Sequence, residues 1–501
     1  MATDLYGTQL YGQGIYGQPV TTSQLWALEI DWDGDNRLTG TNEAALMIDA
    51  TVSRGRKYLL NSSSNGFEPV EMGYLTVTLD NDDDRYTPLN VLSELYPNVR
   101  PGVKVALQTR AGASGTKYPV FTGRIDDIQP SSNTQPKNVR ISIVDGHKWL
   151  KDQDITIDIQ ENISIDDAIS LILSNAEYPY PTSIEASSDN LRYWWVDEKN
   201  ARNAIQELID VNLGTFFVAA DGTGKFYARS HYAADVLTFT QGDLNKDIST
   251  RQPWEVIKNV IKITGYPRTQ TATADLWQLS DTPYVGAGED LEIWASYNNP
   301  AINIITPVAT TDFTVNTLST GSGTDLTASC TVSIETYAKS AKITLHNGAA
   351  QPGYVTLLKI RGDAIVSPSP VQAQATDDTS KALYGPKKFS IDSDWLQDTN
   401  FIVDMANSLI QNLVNSQIYP TITLQHRSDV QFSLDLFDII TLIVNKYSIN
   451  GSYQVSYIEH KWLTDNGQDV KTVLRLEPVS LLSTERWQFT TEIGLTSRFS
   501  F

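Results

Sequence analysis

Between residues 23 and 151 apolar and polar side chains take turns along the chain. Thr76 and Thr78 separate Leu75, Val77 and Leu79, and the pattern returns in Val103, Val105 and Leu107 and in Val139, Ile141 and Ile143. A period of two puts successive side chains on opposite faces of a strand, so each run predicts a half-buried antiparallel strand. Pro88 and Pro101-Gly102 punctuate the runs, and the segment reads as a β-barrel or sandwich. The period then lengthens. Ser164 precedes Ile165, Ala168, Ile169 and Ile172, with Asp167 three residues on, which is a capping box ahead of an apolar helical stripe. Ala201, Ala204, Ile205, Leu208 and Ile209 form a second stripe that stops near Gly214. Phe216-Phe217-Val218 and Lys225-Phe226-Tyr227 flank Asp221-Gly222 as a hairpin.

Strand signal resumes at Val256 to Thr264, and from about Thr282 to Gly362 the texture becomes rich in Ser, Thr, Gly and Ala. Ala328, Cys330, Val332 and Ile334 alternate there, as do Ala341, Ile343 and Leu345, which predicts a small β-sandwich with Cys330 on its apolar side. Beyond it Thr399 is the expected cap of a helix carrying Ile402, Met405, Ala406, Leu409 and Leu413, and further strands follow to Leu476. The expected division is an aromatic arm at 1–22, a β-barrel at 23–151 and an α+β domain at 152–252. A second barrel at 253–281 plus 363–480 is interrupted by the sandwich at 282–362, and a tail follows at 481–501.

Composition narrows the function classes. Lys and Arg total 38 against 59 Asp and Glu, a net charge of -21, which argues against a protein that grips nucleic acid through basic clusters. One cysteine excludes a disulfide framework and a Cys-based zinc site. No apolar run is long enough to span a membrane, and no basic residue precedes Arg37, so neither membrane insertion nor a secretory signal is expected. The five histidines are scattered, and no His pair stands at metal spacing. His147 reads as structural, and His460 as lying on the outward face of a strand. Gly112-Ala-Ser-Gly115 lacks the spacing of a nucleophile elbow, and Gly222-Thr-Gly-Lys225 is flanked by strands rather than a strand and a helix. Acidic loops stand out instead. Asp31, Asp33 and Asp35 occupy alternate positions of a calcium-type loop, with Asn36 where glycine usually sits; the twelfth position is Asn42 instead of a bidentate Glu, so a calcium site and a solvated turn both remain readings. Asp80 to Arg85 reads as a charged hairpin tip.

The arm repeats Tyr-Gly at Tyr6, Tyr11 and Tyr16, a spacing that suits either a mobile tail or flat anchors laid on a neighbour.

Gly73-Tyr-Leu-Thr-Val-Thr-Leu-Asp-Asn-Asp-Asp-Asp-Arg-Tyr-Thr-Pro88, Tyr96-Pro-Asn98, Arg100-Pro-Gly102 and Phe121-Thr-Gly-Arg-Ile-Asp126 together resemble minor tail proteins of long-tailed phages. Asp31-Trp-Asp-Gly-Asp35, Ser53-Arg-Gly-Arg56 and Val139 to His147 share the look. Ala382-Leu-Tyr-Gly385, Gly451-Ser-Tyr-Gln-Val455, Ile458 to Trp462 and Leu474-Arg-Leu-Glu-Pro478 resemble the closing barrel of baseplate hub proteins, so the likeness runs over nearly the whole chain. It implies a mainly β fold with an α+β part: two tail-tube-like β-barrels, an α+β domain and an inserted β-sandwich. It also implies a non-enzymatic homotrimer at the tail tip of a virion, contacting distal tail or tube proteins, a tape measure protein and tip or fibre proteins, with DNA passing without specific binding. The chain stops soon after the closing barrel, so lytic or puncturing activity would belong to another chain. Two other classes compete. A carbohydrate-binding adhesin is motivated by 11 Trp and 23 Tyr, with Trp194-Trp195 as the place to look, and a cell-wall glycoside hydrolase would need an acid pair that no spacing singles out.

Overall fold

In the computed structural model, which describes residues 24–479 apart from 39–41, 58–59, 61–66, 112–114, 132–135, 230, 232–233, 245–247, 426, 428–429 and 464–468, the alternating runs are strands. They are β1 (Gln24–Ile30), β2 (Met47–Gly55), β3 (Glu71–Asp80), β4 (Lys104–Ala111), β5 (Lys117–Pro130) and β6 (Asn138–Val144). Every residue of the three runs that alternation points inward is buried: Leu75, Val77, Leu79, Val103, Val105, Leu107, Val139, Ile141 and Ile143. Each such side chain contributes roughly 1.5–3 kcal/mol, and a one-residue slip would turn a whole set to water, so the register is strongly specified.

The next segment holds α1 (Gly146–Asp152), β7 (Asp154–Ser164), α2 (Ile165–Asn175), β8 (Thr182–Ile184), β9 (Asn190–Asn200), α3 (Ala201–Asn212), β10 (Thr215–Val218) and β11 (Gly224–Tyr227). Ser164 caps α2 as expected, its hydroxyl accepting from the Asp167 amide at 3.2 Å. Helix α3 stops next to Gly214, as expected. Leu213 takes the left-handed conformation (φ 60°), while a Cβ on Gly214 would meet the Tyr227 carbonyl at 2.5 Å. Two short strands follow, β12 (Leu237–Thr240) and β13 (Ile248–Arg251), and then β14 (Val260–Gly265).

The insertion comprises β15 (Thr269–Gln270), β16 (Ala274–Gln278), β17 (Tyr284–Val285), β18 (Asp290–Ser296), β19 (Ala301–Ile305), β20 (Phe313–Asn316), β21 (Cys330–Tyr337), β22 (Ser340–Asn347) and β23 (Gly353–Val366). Strands gather along β23 in one sheet and as β18-β22-β21 in another, around a core of their own that includes Phe313, Val315, Ile343, Leu345, Val355 and Leu358. Cys330 lies in this core, and burial pushes its thiol pKa up. The chain leaves from β14 and returns in β24 (Val371–Thr376), antiparallel to it, with Gly265 opposite Val371. The inserted strands therefore span 269–366, wider than the 282–362 expected. After β24 come α4 (Asp378–Tyr384), β25 (Lys388–Ser393), α5 (Thr399–Leu413), β26 (Tyr419–Gln425), β27 (Ile439–Val444), β28 (Ile449–Trp462) and β29 (Val470–Pro478). Asp398, not Thr399, caps α5, accepting from the amides of Asn400 and Phe401.

The fold is mainly β with an α+β part, as expected. Its long-range pairing redraws the inner boundaries. Strands β14, β24 and β25 form a separate sheet, and with α5 they join the core of α2 and α3 rather than that of the last strands. Conversely, β12 and β13 leave the α+β segment to pair with β27 and β26. One 12-stranded sheet results, and it contains the same order twice. The first six strands run β1-β4-β5-β6-β3-β2, and the last six run β12-β27-β28-β29-β26-β13. Numbered within each set, both read 1-4-5-6-3-2. The pairs agree in direction except the first, antiparallel for β1·β4 and parallel for β12·β27. The inserted sheets, α4 and α5 all fall between the second and third strands of the second set.

Candidate assembly surfaces

The two sets meet where β2 pairs with the second half of β28, Thr51 opposite Lys461 through Gly55 opposite Tyr457. Only glycine fits at position 55, where φ is +98° and a Cβ would stand 2.2 Å from the Ser456 carbonyl. Charges flank this seam. Arg54 Nη1 meets Asp435 Oδ1 at 2.6 Å, and Arg56 Nη2 meets Glu477 Oε2 at 3.0 Å with side-chain exposures of 4% and 1%. Burial opposes ionisation of Asp435, but Arg54 and the Leu436 and Ala220 amides outweigh it and hold the carboxyl below its usual range. Asp438 moves the other way, raised by burial and by Asp435 beside it, although its Oδ2 accepts the Asp435 amide at 2.7 Å. These acids are pushed apart as in a hydrolase pair, but Asp435 is occupied by Arg54 and by main-chain amides. His460, expected outside, is buried in the seam opposite Val52, and its ring meets Thr472 Oγ1 at 2.7 Å. Burial above all, then the Arg54 charge, lowers its pKa to about 3.

A second candidate surface is the loop between β3 and β4. Buried Glu43 ties its base, accepting from Trp32 Nε1 at 3.1 Å, Arg85 Nη2 at 3.0 Å and the Tyr86 hydroxyl at 2.6 Å. Amides of Thr87, Asn90, Ser93 and Tyr96 each donate three residues back, so turns follow one another along the loop. This frame displays Leu89 at 87% exposure and Leu92 at 92%, with Val91 between them. This exposed apolar tip is the reason the loop is a candidate contact surface.

The structure treats the residues that the sequence points to unequally. Tyr6, Tyr11 and Tyr16 lie outside the described residues. Asp31, Asp33 and Asp35 are not brought together as ligands. Asp31 is buried and accepts from the amides of Gly34, Asp35 and Asn36, at 3.0, 3.2 and 2.8 Å, while Asp33 and Asp35 face solvent. Asn36 does take the left-handed conformation, φ 64°. The loop is thus closed by hydrogen bonds from its own amides, and among the described residues no group of three or more His, Cys, Asp or Glu could hold a metal ion. Trp194 and Trp195 are buried too, and Trp195 meets Trp395 edge-on at 5.0 Å under the Arg268 guanidinium. An aromatic pair with an exposed member lies elsewhere, on β18-β22-β21, where exposed Trp294 and half-buried Tyr337 lie 5.8 Å apart and 25° from parallel. His147 is structural. Asp145 caps α1 through the His147 amide, meets its ring at 3.2 Å and holds the Gly73 amide at 2.7 Å.

A shallow cleft of about 270 Å³ beside β1 is lined by Trp26, Asn42, Gln108, Thr109, Arg110 and Lys117, with no acid, histidine or cysteine. Asn42 here acts as a strand residue, accepting from the Leu28 amide at 2.9 Å and donating to the Trp26 carbonyl at 3.3 Å, so this edge of β1 is partly capped. No helix among the described residues is long and apolar enough to cross a membrane.

The fold is that of phage tail proteins. The chain is similar to the 43 kDa tail protein of prophage MuSo2 from Shewanella oneidensis, with 10% identity, a TM-score of 0.50 and coverage of 92% of this chain and 100% of that one. It is also similar to the tail protein from Neisseria meningitidis MC58, with 8% identity, a TM-score of 0.50 and coverage of 93% and 99%. No protein-family model and no curated protein sequence matches the chain.

Proposed function

We propose that the chain is a structural virion protein, a baseplate hub at the tail tip that joins the tail tube to the distal tip. The observation that carries this reading is the strand order 1-4-5-6-3-2 occurring twice in one sheet. Each set corresponds to one tube-like barrel. Three chains then present six equivalent units, which match a sixfold tube without a symmetry gap. In this reading the partners are two further copies of the chain, distal tail or tube proteins, the tape measure protein and tip or fibre proteins. Leu89 and Leu92 serve as contact residues toward a neighbour, and Tyr6, Tyr11 and Tyr16 as a wrapping arm. A net charge of -21 suits a passage for DNA, since basic walls would retain phosphates. Removing residues 1–20 tests the arm: tail joining should weaken while the monomer stays folded, and unchanged joining refutes that role.

A second reading is favoured by one observation. The face carrying Trp294 and Tyr337 offers flat aromatic surface beside Glu292 and Lys342, which suits a sugar ring. An adhesin role predicts glycan-array binding that is lost in Trp294→Ala, and an array without signal removes it.

A further inference from the structure

The two strand sets agree below the level of strand order. The fifth strand of each, β5 and β28, is 14 residues long. In β5 the Ile125 amide donates to the Val103 carbonyl at 2.9 Å and its carbonyl accepts from the Gly102 amide at 2.8 Å. In β28 Val455 does the same with Asp438 and Phe437, at 3.0 and 2.8 Å. Both strands then slip register against the sixth strand, between Ile125 and Asp127 and between Val455 and Tyr457. Ile125 therefore corresponds to Val455, and the bulge that re-aims the strand is shared.

This correspondence makes a difference visible. Beyond the bulge β28 carries β2 on its outer edge. Beyond the bulge in β5, at Asp127 to Pro130, no strand pairs with the outer edge among the described residues. The strand equivalent to β2 in the second set is β13, which stands at the end of the sheet with one side paired to β26. We propose that β13 of one copy of this chain docks antiparallel on the second half of β5 of the next copy, repeating the internal seam between subunits. The occupant follows from continuity: the chain already makes this contact once with itself, and among the described residues each copy keeps β13 as a matching donor edge and the second half of β5 as a matching acceptor edge.

Transposing the seam's register puts Arg251 opposite Gln129, Thr250 opposite Pro130 and Gln252 opposite Ile128. The Ser131 amide donates to Asn138, so the alternation turns the main-chain groups of Gln129 toward β6 and those of Ile128 and Pro130 outward. Pro130 offers only its carbonyl, so this ladder has one bond fewer than the seam. Side-chain charge agrees with the pairing, since Arg251 comes diagonal to Asp127. Such a contact is head-to-tail and closes into a ring when the rotation permits.

This inference rests on the ring reading, and its test separates the two. Arg251 and Gln129 would take the close, non-hydrogen-bonded position held in the seam by Ser53 and Glu459, where a disulfide can form. The full chain carrying Gln129→Cys and Arg251→Cys, with Cys330→Ala, is oxidised both at high concentration and in assembled tails. The expected result is a covalent trimer on a non-reducing gel, with the 129–251 bond found by mass spectrometry and absent from either single-cysteine variant. A trimer that forms without this bond overturns the strand docking and leaves the ring. A chain that is monomeric in solution and missing from tail tips overturns the ring itself.

Discussion

The second strand of each set ends in different company. In the first set β2 runs into Gly55 and Arg56, is sealed against β28, and is followed by a connection of only 15 residues to β3. In the second set β13 is short, mostly exposed and sealed on one side, and the chain then wanders through β14, the inserted sheets, α4 and α5 before β26. The same strand position thus serves as a buried joint in one set and as an open edge with a large insertion in the other. A repeated fold can vary the loop after one strand freely while the ladder beside it is kept, because a sheet is held by its neighbours and a loop is not. Exposed edges invite pairing, so an open edge whose twin is already occupied has a defined partner chemistry.

The comparison breaks most sharply at the sealed joint. Arg56→Met should leave Glu477 buried without its counter-charge and cost about 3–5 kcal/mol in chemical denaturation, whereas Arg251→Met at the open edge should change monomer stability by less than about 0.5 kcal/mol. A smaller effect comes from pH. His460 has a folded pKa of about 3, below its unfolded value near 6.5, so its contribution is complete above pH 6.5 and is lost as pH falls toward 3. At pH 4.5 that loss is about 2–3 kcal/mol, and His460→Gln should flatten this part of the profile. Asp438 acts with opposite sign, its raised pKa costing stability as pH rises, whereas the depressed Asp435 beside it loses stability as pH falls, in the same sense as His460.

Replacing 269–366 by a short Gly-Ser bridge should leave the remainder folded, at a cost of about 2 kcal/mol for the Ile365 and Ala338 contacts with the α+β core. Circular dichroism that shows loss of the remaining sheet would contradict this independence. Least of all for stability, Leu89→Ser with Leu92→Ser should leave the melting curve within about 0.5 kcal/mol of the parent while weakening tail joining.

What the sequence makes legible follows from the range of the forces involved. Leu75, Val77 and Leu79 declare their strand because burial on one face needs only a local alternation, and Ser164 declares a helix start within four residues. Partners are not local. Ile248 to Arg251 carry no sign that they pair with Tyr419 to Ile422, so the local pattern groups β13 with the helices preceding it. His460 lies on the buried face of β28 with Ile458 and Trp462, while Glu459 and Lys461 take the other face, so the alternation places it inside and only its polarity suggests solvent. The seam ion pairs needed Arg54 and Asp435 to meet across 381 positions, which no spacing rule reaches. Asp31 shows the converse: the acidic spacing was real, but three of the loop's own amides satisfied its carboxylate.

The claim that two equivalent strand sets per chain build a sixfold-compatible ring is tested most directly by imaging the tail tip. The expected image shows three copies of this chain in a closed ring, with six strand sets at equal angular steps around the axis. One copy or six copies at the tip would contradict it, and so would three copies whose strand sets do not alternate around the ring.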